Sequence, residues 1–494
     1  MAKFSLSDRI TIVMLGNFIG TIAGLFLSII MVRIMPVSDY GTYKQVMLIS
    51  GIITTIFTLA IPRSIYYFIP ILKTQRAGFI LQTIGILFLL GLISSFSLWC
   101  FSKNIGEYFH NPLLVKLLKI FSISLIFNFP GLYLNPLLLS LDRQKLSAII
   151  SMLSSVISLL ITIIPLLLGY GLNMIFFWMV LSSIIYFFLI FWYTLYLMKN
   201  WEFSWTPQLL HSQLSYSLPR GFSDIVGGLG MMIDKLVISI FFSAQKYAIY
   251  AVGTSKIALL ELLFLPIGNV LFPKFSELYH QSRGDELIQL WHKYITKITL
   301  IVLPIFVFLF VMAEDVITVL FTKNYLESTG PFRVYLCALP LRMTLFGEVL
   351  EAMGQTKAIL IGAIIFFISN LALNLLLVKT IGFIGPAIAI LISAYISIFF
   401  YFFIIKSALK VNFVSIFPWK KFFRIFTVAG ICGLLIYPVC LLNLSGIINL
   451  LITAIIFISI YILLIVKTRI LTQQDIEFIK RWLNLKALSK EKIL

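Results

Sequence analysis

Long apolar runs fill almost the whole sequence, and this pattern limits the possible fold more than any other feature. About fourteen runs of roughly 20 to 28 predominantly apolar residues follow one another, separated by short polar connections. A helix needs about 20 such residues to cross the hydrocarbon core of a bilayer. Open strands would leave backbone groups unpaired in lipid, so every run is expected to be helical. The sequence therefore predicts an all-α polytopic membrane protein with about fourteen transmembrane helices.

The boundaries of the predicted spans are defined to within about four residues. The spans cover residues 10–35, 45–69, 77–102, 113–140, 146–168, 173–198, 222–243, 248–275, 292–314, 332–353, 358–378, 383–407, 422–444 and 446–467.

The composition and the distribution of charge support this interpretation and give an orientation. Hydrophobic residues make up 60% of the chain, charged residues 12%, and the mean hydropathy is +1.04, which excludes a soluble domain. An even number of crossings puts both termini on one side, and most of the 38 Lys and Arg residues lie inside if that side is cytoplasmic. The net charge of +19 is then explained by topology and by anionic lipid headgroups rather than by nucleic acid.

Several functional classes are disfavoured by what the connections contain. The longest cytoplasmic connections, 199–221 and 276–291, are too short for a catalytic domain, and no Gly-x-x-x-x-Gly-Lys phosphate-binding loop occurs. The four Cys and four His residues do not form a metal-ligand pattern. We therefore expect a protein that is not an enzyme, with no catalytic residues, no metal site and no cofactor.

An internal repeat organises the helices. Tyr40 and Tyr43 after the first span match Tyr247 and Tyr250 after the seventh at the same interval, and 142–145 resembles 354–357. Because six is even, two six-helix lobes are expected to be related by a pseudo-twofold axis along the membrane normal, with a cavity between them. The predicted organisation is an N-lobe at 1–200, a C-lobe at 201–410, two additional helices at 411–470 and a basic cytoplasmic tail at 471–494.

The first span carries small residues on one face. Gly16, Gly20, Gly24 and Ser28 recur every four residues. Small residues at this spacing let two helix backbones approach closely in a membrane. The pattern therefore predicts close packing of the first span against another helix.

Ionisable residues inside the spans are the main evidence for function, because each costs about 2.5 to 3.5 kcal/mol at mid-depth and needs a partner, water or a role. Away from the span ends, they cluster in four spans: Arg63; Asp224, Asp234 and Lys235; Lys256 and Glu261; and Arg342, Glu348 and Glu351. If the predicted halves face each other, these spans line a positively charged cavity. Glu348 and Glu351 are close enough to the cytoplasmic end of their span to reach the headgroups.

The sequence also suggests how these charges are paired. Asp234 and Lys235 are about 100° apart on a helix, so we expect them to point to different neighbours, with Asp234 facing Lys256. Such a pair could equally serve only to fix helix register. Arg63 and Arg342 have no obvious acidic neighbour in the sequence, which favours a role in binding an anion.

The chain resembles the polysaccharide flippases, the O-antigen and capsule branch of the multidrug/oligosaccharidyl-lipid/polysaccharide exporter superfamily. The resemblance extends over nearly the whole chain and departs from the family at Lys246, where a glycine is common. It rests on Arg33-Ile34-Met35-Pro36, Tyr40-Gly41-Thr42-Tyr43, Leu218-Pro219, Asp234, Tyr247 and Tyr250, Leu271-Phe272-Pro273-Lys274-Phe275-Ser276, Leu303-Pro304, Phe321-Thr322-Lys323-Asn324-Tyr325, Ala352-Met353-Gly354-Gln355-Thr356-Lys357, Asn370 and Asn374, and Gly382-Phe383-Ile384-Gly385-Pro386-Ala387.

This resemblance implies a V-shaped pair of lobes in the bacterial inner membrane. It also implies alternating access that turns an undecaprenyl-diphosphate-linked oligosaccharide from the cytoplasmic to the outer leaflet. We expect Arg63, Lys256, Arg342 and Lys235 to bind the substrate. Asp224, Asp234 and Glu261 are the candidates for coupling to H⁺ or Na⁺. Glycan polymerase and assembly proteins are candidate partners.

Three alternatives remain at this stage. A multidrug antiporter of the same superfamily would bind organic cations and should carry a more acidic cavity. A membrane glycan polymerase or ligase would need a long outer loop with catalytic residues, and the outer loops here are short. A lipid II flippase for peptidoglycan would share the mechanism and differ in the glycan.

Overall fold

The computed structural model describes residues 6–72, 74–255, 271–440, 446–468 and 470, and the fold within them is built from helices. In the first half of the chain the helices are α1 (Leu6–Ile34), α2 (Val37–Phe57), α3 (Ser64–Ile71), α4 (Arg76–Tyr108), α5 (Pro112–Gly131), α6 (Leu134–Ser140), α7 (Gln144–Leu167) and α8 (Leu172–Leu197). In the second half they are α9 (Pro207–Gly230), α10 (Ile233–Phe241), α11 (Ala244–Gly253), α12 (Gly284–Val311), α13 (Ala313–Phe321), α14 (Thr329–Leu336), α15 (Leu339–Arg342), α16 (Phe346–Ala352), α17 (Thr356–Thr380), α18 (Gly385–Leu409), α19 (Phe413–Ile416), α20 (Trp419–Cys440) and α21 (Gly446–Lys467).

Many of these helices are long and apolar enough to cross a membrane. In the part of the chain that the structure describes, nine helical segments meet this criterion, and a tenth span results if α2 and the bent segment Ile61–Ile71 are counted together. They correspond to the predicted spans two to six, nine, and eleven to fourteen. Large apolar side chains such as Phe96, Trp192 and Leu434 face outward at 69%, 70% and 76% exposure, as expected for a lipid-facing surface. The prediction of an all-α polytopic membrane protein is confirmed.

The first span packs against the fifth through its small residues. A Cβ on Gly16 would lie 3.2 Å from the Cα of Ala148, and one on Gly20 would lie 2.9 Å from the Oγ of Ser155. The predicted close packing is therefore present. Gly24 has open space instead, and it borders a cleft of about 280 Å³ that Ser155 also lines.

Within the described residues, four of the predicted spans are interrupted, which hydropathy did not reveal. The fourth divides into α5 and α6 after Gly131. The second span bends by 57° between Phe57 and Ile61, where Leu59 and Ala60 have φ values of +48° and +53°. The seventh divides into α9 and α10, and the tenth divides into α14, α15 and α16. A run of apolar residues is long enough to span the bilayer whether or not its helix is continuous. Irregular backbone at membrane depth is tolerated only where protein or a water-filled cavity surrounds it, so these breaks mark the interior.

The helix α2 contacts α11 near its start, and the break that follows α2 contacts α9. A Cβ on Gly41 in α2 would lie 1.9 Å from the carbonyl oxygen of Ala244, at the start of α11. Near the break, a Cβ on Gly221 in α9 would lie 2.7 Å from the carbonyl carbon of Leu59. Glycine at these two positions lets α2 approach α11 and lets α9 approach the break in the second span.

The last two spans pack beside the ninth. A Cβ on Gly433 in α20 would lie 2.7 Å from a methyl group of Val307 in α12, and the rings of Phe308 and Phe457 are 5.5 Å apart. The division into lobes at 1–200 and 201–410, with 411–470 as an addition, remains a prediction. Residues 471–494, the predicted tail, lie outside the described part of the chain.

Candidate functional site

A group of charged side chains lies where the broken second span meets α9. The Nη1 of Arg63 is 3.1 Å from the Oδ2 of Asp224 and donates a hydrogen bond of 3.3 Å to Oδ1. The Nε of Arg220, one turn earlier on α9, is 3.3 Å from the same Oδ1. We call Arg63, Arg220 and Asp224 the cationic cluster.

The cationic cluster carries one positive charge more than its carboxylate can balance. Arginine remains ionised under all ordinary conditions, so two guanidinium groups share one carboxylate. The side chains of Arg63 and Arg220 are 54% and 59% exposed, and that of Asp224 is 34% exposed. An exposed cationic group of this kind at a helix break can accept an anion.

This arrangement corrects one expectation from the sequence and adds a residue that the sequence analysis did not name. Arg63 was expected to lack an acidic partner, but Asp224 lies against it although the two residues are far apart in the chain. Arg220 was not identified, because it lies just before the predicted seventh span. Its spacing of four residues from Asp224 is the signal that would have found it, since such residues share one helical face.

The backbone around the break delivers Arg63 to α9. Leu59 and Ala60 adopt left-handed conformations, and a short 3₁₀ helix, Ile61–Arg63, follows them with Pro62 in its first turn. The close approach of Gly221 to Leu59 then brings the two segments together. The position of Arg63 is thus set by the break and by a glycine on the opposing helix.

A buried polar network supports the segment beside Arg63. The side-chain amide of Gln213, which is fully buried, donates hydrogen bonds of 2.9 Å to the Oγ of Ser64 and to the Oγ1 of Thr83. Its carbonyl oxygen accepts from Gln82 at 2.7 Å, and Gln82 accepts from Trp205 at 2.6 Å. This network ties α9 to the start of α3 and to α4. No periodic pattern in the sequence predicts this network.

Two tyrosines stack beside the cationic cluster. The rings of Tyr67 on α3 and Tyr216 on α9 have centroids 4.8 Å apart and planes 17° apart, and both side chains are nearly half exposed. Tyr67 is four residues after Arg63, and Tyr216 is four residues before Arg220. The stack therefore lies about one helical turn from both guanidinium groups. In the predicted topology this is the cytoplasmic side of the cationic cluster.

Asp234 forms a second, fully buried site on α10. Its Oδ2 accepts a hydrogen bond of 2.9 Å from Tyr250 and another from the hydroxyl of Tyr335. The Nζ of Lys235 is 3.6 Å from Oδ1, and Oδ1 accepts no hydrogen bond from any residue that the structure describes. The expectation that Asp234 and Lys235 would point to different neighbours is wrong, because the long side chain of Lys235 reaches back to the carboxylate.

The remaining predicted residues are distributed over other parts of the chain. Lys235 is 27% exposed and also lies over the ring of Tyr335, at 5.5 Å from its centroid. Arg342 is exposed at the end of α15, in the broken tenth span. Lys256 and Glu261 lie outside the described residues, as does the predicted pairing of Asp234 with Lys256. In the tenth span, Glu351 is exposed and Glu348 is partly buried.

The chain matches a known family. A model of the family described as polysaccharide biosynthesis protein matches residues 30–330, which is more than half of the 494 residues. The chain belongs to this family. The matched region includes the cationic cluster, the tyrosine stack and Asp234.

Two curated relatives of this family member are distant and partial matches. It is 22% identical over 213 residues to the probable low-salt glycan biosynthesis flippase Agl15 of Haloferax volcanii, an alignment that covers 43% of each chain. It is 25% identical over 284 residues to the uncharacterized membrane protein MJ1068 of Methanocaldococcus jannaschii, covering 55% of this chain and 53% of that one. The alignments thus span about half or less of these relatives.

Solved structures show which fold this polysaccharide biosynthesis protein has. The lipid II flippase MurJ in an inward closed conformation superposes with a TM-score of 0.73 at 19% identity, covering 91% of this chain and 96% of that one. An inward-facing multidrug resistance MATE family transporter of the MOP superfamily gives a TM-score of 0.64 at 15% identity, covering 80% and 96%. The chain therefore shares its fold with these two proteins, and the family match over residues 30–330 confirms the resemblance seen in the sequence.

Proposed function

We propose that this protein is a flippase that moves an undecaprenyl-diphosphate-linked oligosaccharide from the cytoplasmic to the outer leaflet by alternating access. The observation that carries the proposal is the cationic cluster, in which Arg63 and Arg220 share a single carboxylate beside a helix break. The family match and the fold support the same conclusion at a coarser level. In this proposal both termini lie on the cytoplasmic side of a bacterial inner membrane.

The chemistry of the substrate fits the charge of the cationic cluster. A diphosphate and a sugar chain cannot cross hydrocarbon unaided, whereas a long prenyl chain can remain in the lipid. Guanidinium groups bind phosphate oxygens through strong, directional hydrogen bonds, and the exposure of Arg63 and Arg220 leaves donors for a ligand. Arg342 and Lys256, which the sequence also suggested, are further candidate ligands for the anion.

The energetics of transport favour movement outward. When an anion leaves a cell with a negative interior, its free energy falls by about 2.3 kcal/mol per charge for each 100 mV of membrane potential. The return of the empty site still has to shield its positive charges from water, and this is the step that a coupling ion would assist. Asp234 is the better candidate for accepting H⁺ or Na⁺, because its Oδ1 accepts no hydrogen bond within the described residues, whereas both oxygens of Asp224 contact guanidinium groups.

The alternatives fit the site less well. An organic-cation antiporter would need an excess of negative charge, and the cationic cluster has an excess of positive charge. A lipid II flippase would use the same chemistry on a different glycan. The two flippases are separated by whether loss of the protein removes a surface glycan or is lethal.

A deletion experiment tests the proposal in cells. Lipid-linked oligosaccharide should accumulate on the cytoplasmic leaflet of the deletion strain, and its mass would identify the glycan. The wild-type gene should restore export and Arg63→Gln should not, at equal protein level in the membrane. Arg143→Gln is the matched control, because Arg143 is an exposed arginine that donates to Tyr193 at 3.0 Å on a different part of the fold. Unchanged leaflet distribution in the deletion strain would reject the proposal.

A further inference from the structure

The position of Asp224 between two guanidinium groups suggests a role besides ion coupling. Its Oδ2 lies 3.1 Å from Arg63, and its Oδ1 lies 3.3 Å from both Arg63 and Arg220. The carboxylate thus occupies the place where two cations converge. A phosphate oxygen of an anionic ligand would use the same donors.

The same contact links two separate segments of the chain. Arg63 follows the break in the second span, while Arg220 and Asp224 lie on one face of α9. In the predicted organisation these segments belong to the N-lobe and the C-lobe. The Arg63–Asp224 pair is therefore an ionic contact between the two parts that must move relative to each other in alternating access.

Because these side chains are exposed, a ligand can replace the Asp224 carboxylate in this contact. All three side chains are between 34% and 59% exposed, so a ligand can reach them, and ion pairs that water can also reach contribute little to stability. A diphosphate carries more negative charge than one carboxylate and offers more oxygens to the guanidinium groups. It can therefore displace Asp224 from Arg63 and Arg220 without a large energetic penalty.

We infer that Asp224 is an internal counter-anion that occupies the diphosphate site when the carrier is empty. This inference rests on the proposed function. With substrate bound, the diphosphate neutralises Arg63 and Arg220, and Asp224 is displaced. After release, Asp224 returns to Arg63, so the empty site crosses the membrane with less exposed positive charge. Asp224 is thus a positioning residue for the return step.

Removal of the Asp224 carboxylate should strengthen substrate binding and slow the return of the empty site. In Asp224→Asn, the affinity for undecaprenyl diphosphate should rise about three- to fivefold, because the competing carboxylate is gone. Net transport of lipid-linked oligosaccharide in proteoliposomes should slow about tenfold, because the return then shields two guanidinium groups from water without a carboxylate to balance them. The rate at which labelled substrate exchanges for unlabelled substrate should fall far less, because the site carries substrate in both directions during exchange and never returns empty.

Matched variants make the result specific. Glu277→Gln removes one negative charge from an exposed carboxylate that is paired with Lys274 at 2.8 Å, and it should behave as the wild type in all three measurements. Asp224→Ser provides a second neutral side chain and should reproduce the effects of Asp224→Asn.

Three results would overturn the inference. These are weaker binding in the neutral variants, an equal loss of net transport and exchange, and failure of both neutral variants to accumulate, which would make Asp224 a folding residue. The wild-type protein is measured first. If it neither binds undecaprenyl diphosphate nor moves the lipid-linked glycan, the proposed function itself is wrong, and this outcome is distinct from the other three.

Discussion

Arg63 reaches its acidic partner because of the residues around it. Leu59 and Ala60 hold left-handed backbone conformations that turn the chain before the 3₁₀ helix, and Gly221 allows α9 to lie against Leu59. The charge of Arg63 could be read from the sequence. Its partner could not, because the contact depends on a helix break and on a backbone approach between distant segments.

The tyrosine stack gives a prediction at the residue scale. Tyr216→Ala should lower the melting temperature of the purified protein slightly, because stacked aromatic pairs contribute about 0.5–1.5 kcal/mol. Transport should also slow, since the stack holds α3 against α9 one turn from Arg63. Tyr216→Phe should keep both properties near the wild-type values.

Tyr66→Ala is the control for this prediction. Tyr66 is about as exposed as Tyr67, and it makes no ring contact within the part of the chain that the structure describes. A loss of stability in Tyr66→Ala equal to that in Tyr216→Ala would show that the stack has no special role.

A second prediction at this scale concerns ion coupling at Asp234. In proteoliposomes with an imposed proton or sodium gradient, Asp234→Asn should transport slowly and should no longer respond to either gradient. The reason is that the amide cannot be protonated and has no negative charge with which to hold Na⁺ at the position of Oδ1. Asp285→Asn, at an exposed carboxylate near the start of α12, should respond as the wild type does. A gradient response that persists in Asp234→Asn would assign coupling to another residue.

At the scale of the elements, the contact between α2 and α11 should be sensitive to one methyl group. A Cβ on Gly41 would lie 1.9 Å from the carbonyl oxygen of Ala244, so Gly41→Ala must push α11 away. We expect greater labelling of cysteines placed near this contact and a lower melting temperature. Gly85→Ala on α4 is the control, because a Cβ there has no neighbour within 4 Å. Equal labelling of the two variants would show that this contact does not restrict access.

The elements also show how far sequence reasoning extends. Apolar run length predicted the long uninterrupted helices such as α4, α7 and α18, because a bilayer demands a fixed length of apolar helix. It missed the breaks in the second, fourth, seventh and tenth spans, where the residues remain apolar. In the candidate site, the cost of a charge inside an apolar run identified Arg63 and Asp234, whereas Arg220 and Gln213 became evident only from their contacts.

At the scale of the whole molecule, the distribution of Lys and Arg predicts the orientation in the membrane. A fluorescent protein fused to the C-terminus should fluoresce, and alkaline phosphatase at the same position should be inactive, because positively charged segments remain in the cytoplasm. The same reporters placed in the connection between α8 and α9 should give the same result. Active phosphatase at either position would reverse the orientation, and the cationic cluster would then lie nearer the outer leaflet.

The central claim is that a MOP-type fold uses the excess positive charge of Arg63 and Arg220 to move an anionic lipid-linked glycan. Its most direct test is the rate at which purified protein in proteoliposomes flips a fluorescent undecaprenyl-diphosphate oligosaccharide. We predict rapid flipping by the wild type and by Arg143→Gln, and loss of flipping in Arg63→Gln/Arg220→Gln with the fold intact. Wild-type rates in the double variant, or no flipping by the wild type, would contradict the account.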